Sequence, residues 1–404
     1  MDITMNLLDK ISLGFIELPW YGYLLVALVL THITIAAVTI YLHRYSAHKS
    51  LELNSAIKHF FRFWLWLTTG MKTKNWTAIH RKHHAKCETE DDPHSPQVLT
   101  LKKVFFEGAE LYRKEGKNKE TLENYGHGTP DDWLEKYVYS HDKIGVSTML
   151  IINLCAFGTM GLTIWAIQML WIPLFAAGVI NGVGHYFGYR NFSVADASTN
   201  IIPFGILIGG EELHNNHHAF ASSAKLSSKW YEFDIGWFYI KLLCFFNLAT
   251  VKKVAPKASL SKEVNKYNND LLNAIITNRY DVINRFRKAI KKLFEYELNK
   301  VMDNKKYLSG KINFNKFSNV FLNDKNNLNQ SELTSLENTL KFSSKLVTIY
   351  EMKNDLTKLW KGSNLSTEQL LDHLKQWCKK AELSNITQLQ DFTSVLRRYK
   401  TVNN

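Results

Sequence analysis

No charged side chain occurs between Lys143 and Arg190. A helix of about 20 apolar residues crosses a hydrocarbon layer of about 30 Å, and only helices or closed barrels satisfy their backbone groups there. Ile144 to Tyr189 is therefore expected to form two crossings, at about 144–165 and 167–188, with a tight turn near Gly161 to Trp165. Both ends of such a hairpin emerge on the same side. Trp20 to Leu42 is a second uncharged run and predicts a further span over 20–42. Before it Asp2, Asp9 and Glu17 outweigh Lys10, whereas Arg44, Lys49, Lys58, Arg62, Lys72 and Lys74 come after it. The positive-inside rule then puts His43 and the basic segment beyond it on the cytoplasmic side. Without a basic start and a small-residue cleavage site, this first span is not a secretory signal and is expected to stay.

Other apolar stretches are shorter. Phe63 to Met71 comes after Lys58 and Arg62 and reads as an interfacial or membrane-dipping helix. Ala197 to Gly210, broken by Pro203, Gly205, Gly209 and Gly210, reads as a re-entrant or protein-covered segment. Trp230 to Val251 is aromatic-rich and reads as a helix lying at the interface. Residues 1–250 balance their Lys and Arg against Asp and Glu, so the net charge of +13 lies wholly in the last third. Beyond Pro256 helical spacing recurs, as in Leu271, Ile275, Ile276 and Tyr280, and predicts a basic helical appendage over 256–404. Its charge suits anionic headgroups or an acidic electron donor. No nucleic-acid motif accompanies the charge, and none is expected as a partner. Cys87, Cys155, Cys244 and Cys378 show no paired spacing, so nothing in the sequence suggests a disulfide framework or an iron–sulfur cluster.

Histidines border these apolar runs. His80, His83 and His84 stand at i, i+3 and i+4, on one face of a helix, and His214, His217 and His218 repeat that pattern. His43 and His48 are five apart, about 140° around an ordinary helix, so both reach one centre only if the helix ends or unwinds there. Asn181 and His185 stand at i, i+4 in the uncharged hairpin, where an unpaired polar group costs several kcal/mol. Nine imidazoles with hardly a carboxylate among them suit iron, copper or zinc rather than magnesium or calcium. A single ion takes at most six donors, so nine suggest two ions. A zinc hydrolase would carry Glu directly after its first His, where this chain has Arg81 or Asn215.

The boxes His43-Arg44-Tyr45-Ser46-Ala47-His48, His80-Arg81-Lys82-His83-His84 and Gly210-Glu211-Glu212-Leu213-His214-Asn215-Asn216-His217-His218 resemble those of the membrane fatty acid desaturases, in the branch of the delta-9 enzymes. Asn181-xxx-His185 and Asp92-Pro93-His94 match too, and the likeness covers roughly residues 10–255. The resemblance implies a non-haem centre of two Fe ions held by His43, His48, His80, His83, His84, His185, His214, His217 and His218, with Asn181 on one iron directly or through water. It implies the use of dioxygen and two electrons to place a cis double bond, at delta-9, in a long-chain fatty acyl group carried on lipid, coenzyme A or carrier protein. The electrons are expected from a separate protein of ferredoxin, rubredoxin or cytochrome b5 type. The fold expected is all-α: a multi-pass membrane bundle over 1–255 with a cytoplasmic di-iron cap, plus the helical tail. A di-iron hydroxylase shares the same oxidant, and a membrane metal-binding protein would also gather histidines.

Several further residues are singled out. Glu211 or Glu212 is expected to fix a ligand tautomer, competing with a role as a solvated helix-start carboxylate. His94 is expected beside the ligands, and His32 as an internally bonded span residue. Asn75, Trp76, Trp230, Asp234 and Trp237 are expected to line or cover the site, the aromatic ones competing with interfacial anchoring. His59, His127, His141 and His373 are expected at the surface.

Overall fold

The computed structural model describes residues 13–262, 264, 266–303, 321, 330–341, 343–361 and 365–400. The chain divides into two compact units, Met1–Ala255 and Pro256–Asn404.

In the first unit α1 spans Trp20–Ala47, and α2 (Ser55–Thr68) and α3 (Thr73–Lys86) come next. α4 is Leu101–Glu115, α5 Lys119–Tyr125, α6 Asp142–His185, α7 His214–Ala219 and α8 Ile235–Phe245. Among the described residues α1 and α6 are the two helices long and apolar enough to cross a membrane. α6 folds back on itself at Gly158, whose φ of 58° and ψ of −137° suit glycine alone. This reversal stands three residues before the turn expected at Gly161 to Trp165. Gly161 instead permits close packing, since a side chain there would collide with the carbonyl of Asn153 across the hairpin. Between the arms Asn153 donates to Gln168 Oε1 at 3.3 Å and Trp165 to Val146 O at 3.1 Å.

α2 buries Phe61, Leu65 and Leu67 and opens on Asn54, whose side chain accepts from the backbone N–H of Ala56. It begins eight residues before the apolar run that predicted it, because that cap and its amphipathic pattern extend back to Ser55. The helix expected over Trp230 to Val251 is shorter than its apolar run. Asp234 caps α8 through Trp237 N–H, and the chain leaves it at Asn247 (φ 56°). Ala249–Val251 then becomes a strand, antiparallel to Leu51–Leu53. Ala197 to Gly210 is irregular, with Asn200 bridging Tyr189 and Leu213, and with Phe204–Gly205 parallel to Phe233–Asp234.

In the second unit α9 (Asn269–Thr277), α10 (Arg279–Asp303), α11 (Gln330–Leu340), α12 (Ser344–Thr357), α13 (Thr367–Glu382) and α14 (Thr387–Leu396) surround a core that includes Phe286, Leu346, Trp377 and Phe392. Ser259–Leu260 pairs with Tyr399–Lys400 and ties its two ends together.

Candidate metal centre

From Ala37 the turns of α1 widen to i→i+5 hydrogen bonds, and His48 N–H closes the last of them on His43 O at 3.1 Å. A separation of five residues is then just over one turn, and the two rings stand 4.7 Å apart. The helix thus widens where the sequence required an end or an unwinding. Arg44 and Arg81, within the histidine boxes, fix the segments. Arg44 is fully buried, pairs with Asp234 at 2.8 Å and donates to the carbonyls of Gly209 and Ala224. Arg81 donates to the carbonyls of Ser46, Ala47, Tyr125 and His127. Asn215 and Asn216, between the histidines of α7, hold Asn191, Phe192 and Asn200.

The nine histidines converge. Ligand atoms of His43, His48, His80 and His217 lie within 4.8 Å of one another, and His84 Nε2 is 2.8 Å from His217 Nε2. Ligand atoms of His83, Cys87, His185 and His218 form a second such group, with His214 Nε2 3.0 Å from His185 Nε2. Asn181, one turn before His185, lines the same cavity as His214.

Carboxylates stand behind four of the rings. His83 Nδ1 is 3.0 Å from Asp92, His218 Nδ1 3.2 Å from Asp196 and His185 Nδ1 3.4 Å from Glu88. His43 Nδ1 is 2.9 Å from Glu211, a close but poorly aligned contact. Burial raises the Glu211 carboxyl to about 8. Glu212 instead accepts the backbone N–H groups of Leu207, Ile208 and Gly210, holding the loop before α7. A proton placed on Nδ1 by a carboxylate leaves Nε2 as a bare lone pair facing inward. Burial first, and neighbouring imidazoles second, hold His48, His80, His84, His214, His217 and His218 well below the usual histidine range, so these rings are neutral.

Bound cations would resolve the crowding of these lone pairs. The Nε2 pairs His48–His80, His84–His217, His185–His214 and His43–His217 are 2.7–3.1 Å apart. Two nitrogens at right angles around one ion, each about 2.1 Å from it, stand about 3.0 Å apart. The residues thus fit a pair of imidazole-bound transition-metal ions.

Of the other expected positions, Trp76 stacks on His80 at 4.7 Å and His94 on His83 at 4.5 Å, and both line the cavity. Burial and the facing His83 push His94 down to about 3. His32 bonds Tyr239 at 2.6 Å, and Asn75 holds the carbonyl of Gly116. Trp230 is 96% exposed and covers nothing, while Asp234 serves Arg44 and Trp237 packs in the core beneath. His59, His127 and His141 are exposed, and His373 is half-buried. Sequence reasoning missed Glu88, Asp196 and Cys87. Their positions outside the boxes give no spacing signal, although Cys87 lies four residues after His83 on the same helical face.

The cavity measures about 640 Å³ and runs between α3, α4 and both arms of α6, with apolar walls that include Ile79, Ala177 and Ile180.

The chain belongs to the fatty acid desaturase family, whose model matches residues 18–235. Over 239 residues it is 28% identical to the delta-9 acyl-lipid desaturase 1 of Arabidopsis thaliana, covering 58% of this chain and 76% of that one. The sn-1 stearoyl-lipid 9-desaturase of Anabaena variabilis is 28% identical over 57% of this chain and 84% of its own length. An acyl-CoA 5-desaturase of Anemone leveillei is 29% identical over 55% and 69%. A transposase family model matches residues 249–402, well under half of the chain, and carries no activity to it.

Proposed function

We propose that the protein inserts a cis double bond, at position 9, into a long-chain saturated fatty acyl group. One observation carries this reading: the apolar cavity has His43, His80, His214 and Asn181 in its wall, so a bound hydrocarbon lies against the histidine cluster. His43, His48, His80, His84 and His217 would hold one iron, and His83, His185, His214 and His218 the other, with Asn181 beside the second. When bound, the pair supplies dioxygen chemistry in which –CH2–CH2–, O2, two electrons and two protons become –CH=CH– and two waters.

The residues do the rest. The cavity walls orient one pair of methylenes and exclude water. Asp92, Glu88 and Asp196 hold imidazole protons on Nδ1 and so fix the rings of His83, His185 and His218. Three membrane crossings, by α1 and the two arms of α6, leave the cluster on the cytoplasmic face, reached by a separate electron-donor protein. Position 9 draws support from the boxes and from two of the relatives above, while the third acts at position 5.

The test is expression in a host lacking unsaturated fatty acids, with gas chromatography of its lipids and a His217→Ala control. A new 9-monounsaturated acyl chain that the control abolishes is expected. A hydroxylated product would replace desaturation by hydroxylation.

A further inference from the structure

The two groups of histidines are unequal. His43, His48, His80 and His84 gather around His217 to make a group of five, and His83, His185 and His214 around His218 to make a group of four. The smaller group includes a sulfur: Cys87 Sγ is 4.0 Å from His83 Nε2, and its group with His83, His185 and His218 lies within 4.8 Å. Cys87 follows the last residue of α3 as its C-cap, four positions after His83, and its sulfur faces the His83 ring. His83 Nδ1 faces Asp92, so Nε2 is the atom it offers to an ion. His218 supplies the second observation. Its side chain is 2% exposed, its Nδ1 is turned to Asp196, and its Nε2 is buried without a hydrogen-bond partner.

We infer that Cys87 is a fifth protein ligand of the four-histidine ion, giving one of the two metals a thiolate. This rests on the metal reading above. Nitrogen and sulfur donors bind at about 2.1 Å and about 2.3 Å, so two such atoms on one ion stand at most about 4.4 Å apart. The observed 4.0 Å fits inside that limit. Binding breaks the S–H bond, forms a metal–sulfur bond and releases one proton to solvent, with no change in oxidation state. Asn181 and His214 line the acyl cavity, whereas Cys87 does not. The thiolate therefore approaches its ion away from the cavity, leaving the substrate-facing side to Asn181. A thiolate is a stronger electron donor than imidazole, so the two ions become electronically distinct.

The test uses the full-length protein in detergent, loaded with cobalt(II), beside Cys87→Ser. Metal content, electronic spectra and protons released on loading are read for both. Wild type is expected to show a near-ultraviolet thiolate-to-cobalt charge-transfer band and to release one proton more than the variant. Cys87→Ser is expected to lose the band while keeping the visible bands of histidine-bound cobalt. A second measurement needs no variant: cobalt is expected to protect Cys87, but not the exposed Cys155, from alkylation followed by mass spectrometry. Two bound ions with identical spectra, and Cys87 alkylated equally with and without metal, overturn the inference and leave the metal pair standing. No bound cobalt in wild type overturns both.

Discussion

Replacing Arg44 with Ala tests whether the box residues between the histidines are the frame that holds them. Its side chain and that of Asp234 are both 0% exposed, and the pair closes at 2.8 Å. The guanidinium also donates to Gly209 O at 2.9 Å and to Ala224 O at 3.1 Å. Asp234 retains only the N–H groups of Leu226 and Trp237 once the arginine is gone. Breaking a buried pair by removing one partner costs about 3–5 kcal/mol, since the other charge stays buried. For a unit of this size each kcal/mol moves the melting temperature by about 2–4 °C, so a fall of about 6–20 °C is expected. Arg44→Lys keeps the charge but loses the planar fork that reaches three acceptors, and should fall in between. The double variant Arg44→Met, Asp234→Leu removes both charges and should recover most of the loss. Thermal unfolding of the purified protein at one scan rate, followed by tryptophan fluorescence, reads all three. An Arg44→Ala protein melting within about 3 °C of wild type, or a double variant as unstable as the single one, would refute the reasoning.

Asp92→Ala removes the acceptor behind His83 Nδ1 and should weaken metal binding about 10–100-fold in chelator competition, whereas unchanged affinity would show that the ring is oriented without it. Metal-free protein should gain stability with rising pH up to about 6.5 and then decline gently to about 8, because Glu211 keeps its proton in the fold up to about 8. Histidines with depressed folded pKa bind protons mainly when unfolded, each contributing at most about 1.4 kcal/mol per pH unit. Melting temperatures that stay flat from about pH 5 to 7 would contradict this. Gly158→Ala should cost about 1–3 kcal/mol because φ of 58° with ψ of −137° excludes a β-carbon, and an unchanged melting curve would mean that the reversal has another backbone solution.

Histidine spacing made the site legible because i, i+3 and i+4 positions share a helix face whatever that helix packs against. The long apolar helices were legible for a related reason, since length and lack of charge are local properties. The position of the reversal was not. Gly158 and Gly161 look alike as letters, and only the packing of Asn153 against Gly161 assigns the turn to one and the close approach to the other. Arg44 read as cytoplasmic flanking charge and Arg81 only as a residue within its box, although both bind backbone carbonyls from distant segments. Glu88 and Asp196 meet their histidines only through tertiary structure. The early end of α8 has a similar cause, because pairing of Ala249–Val251 with Leu51–Leu53 outweighs an apolar run that suited a longer helix.

The widened turns of α1 give the four residues between His43 and His48 a meaning as a pitch gauge. An ordinary helix superimposes rings after three or four positions, so an interval of five matches only the broader coil. At the ordinary 3.6-residue pitch the same interval would turn the two rings about 140° apart.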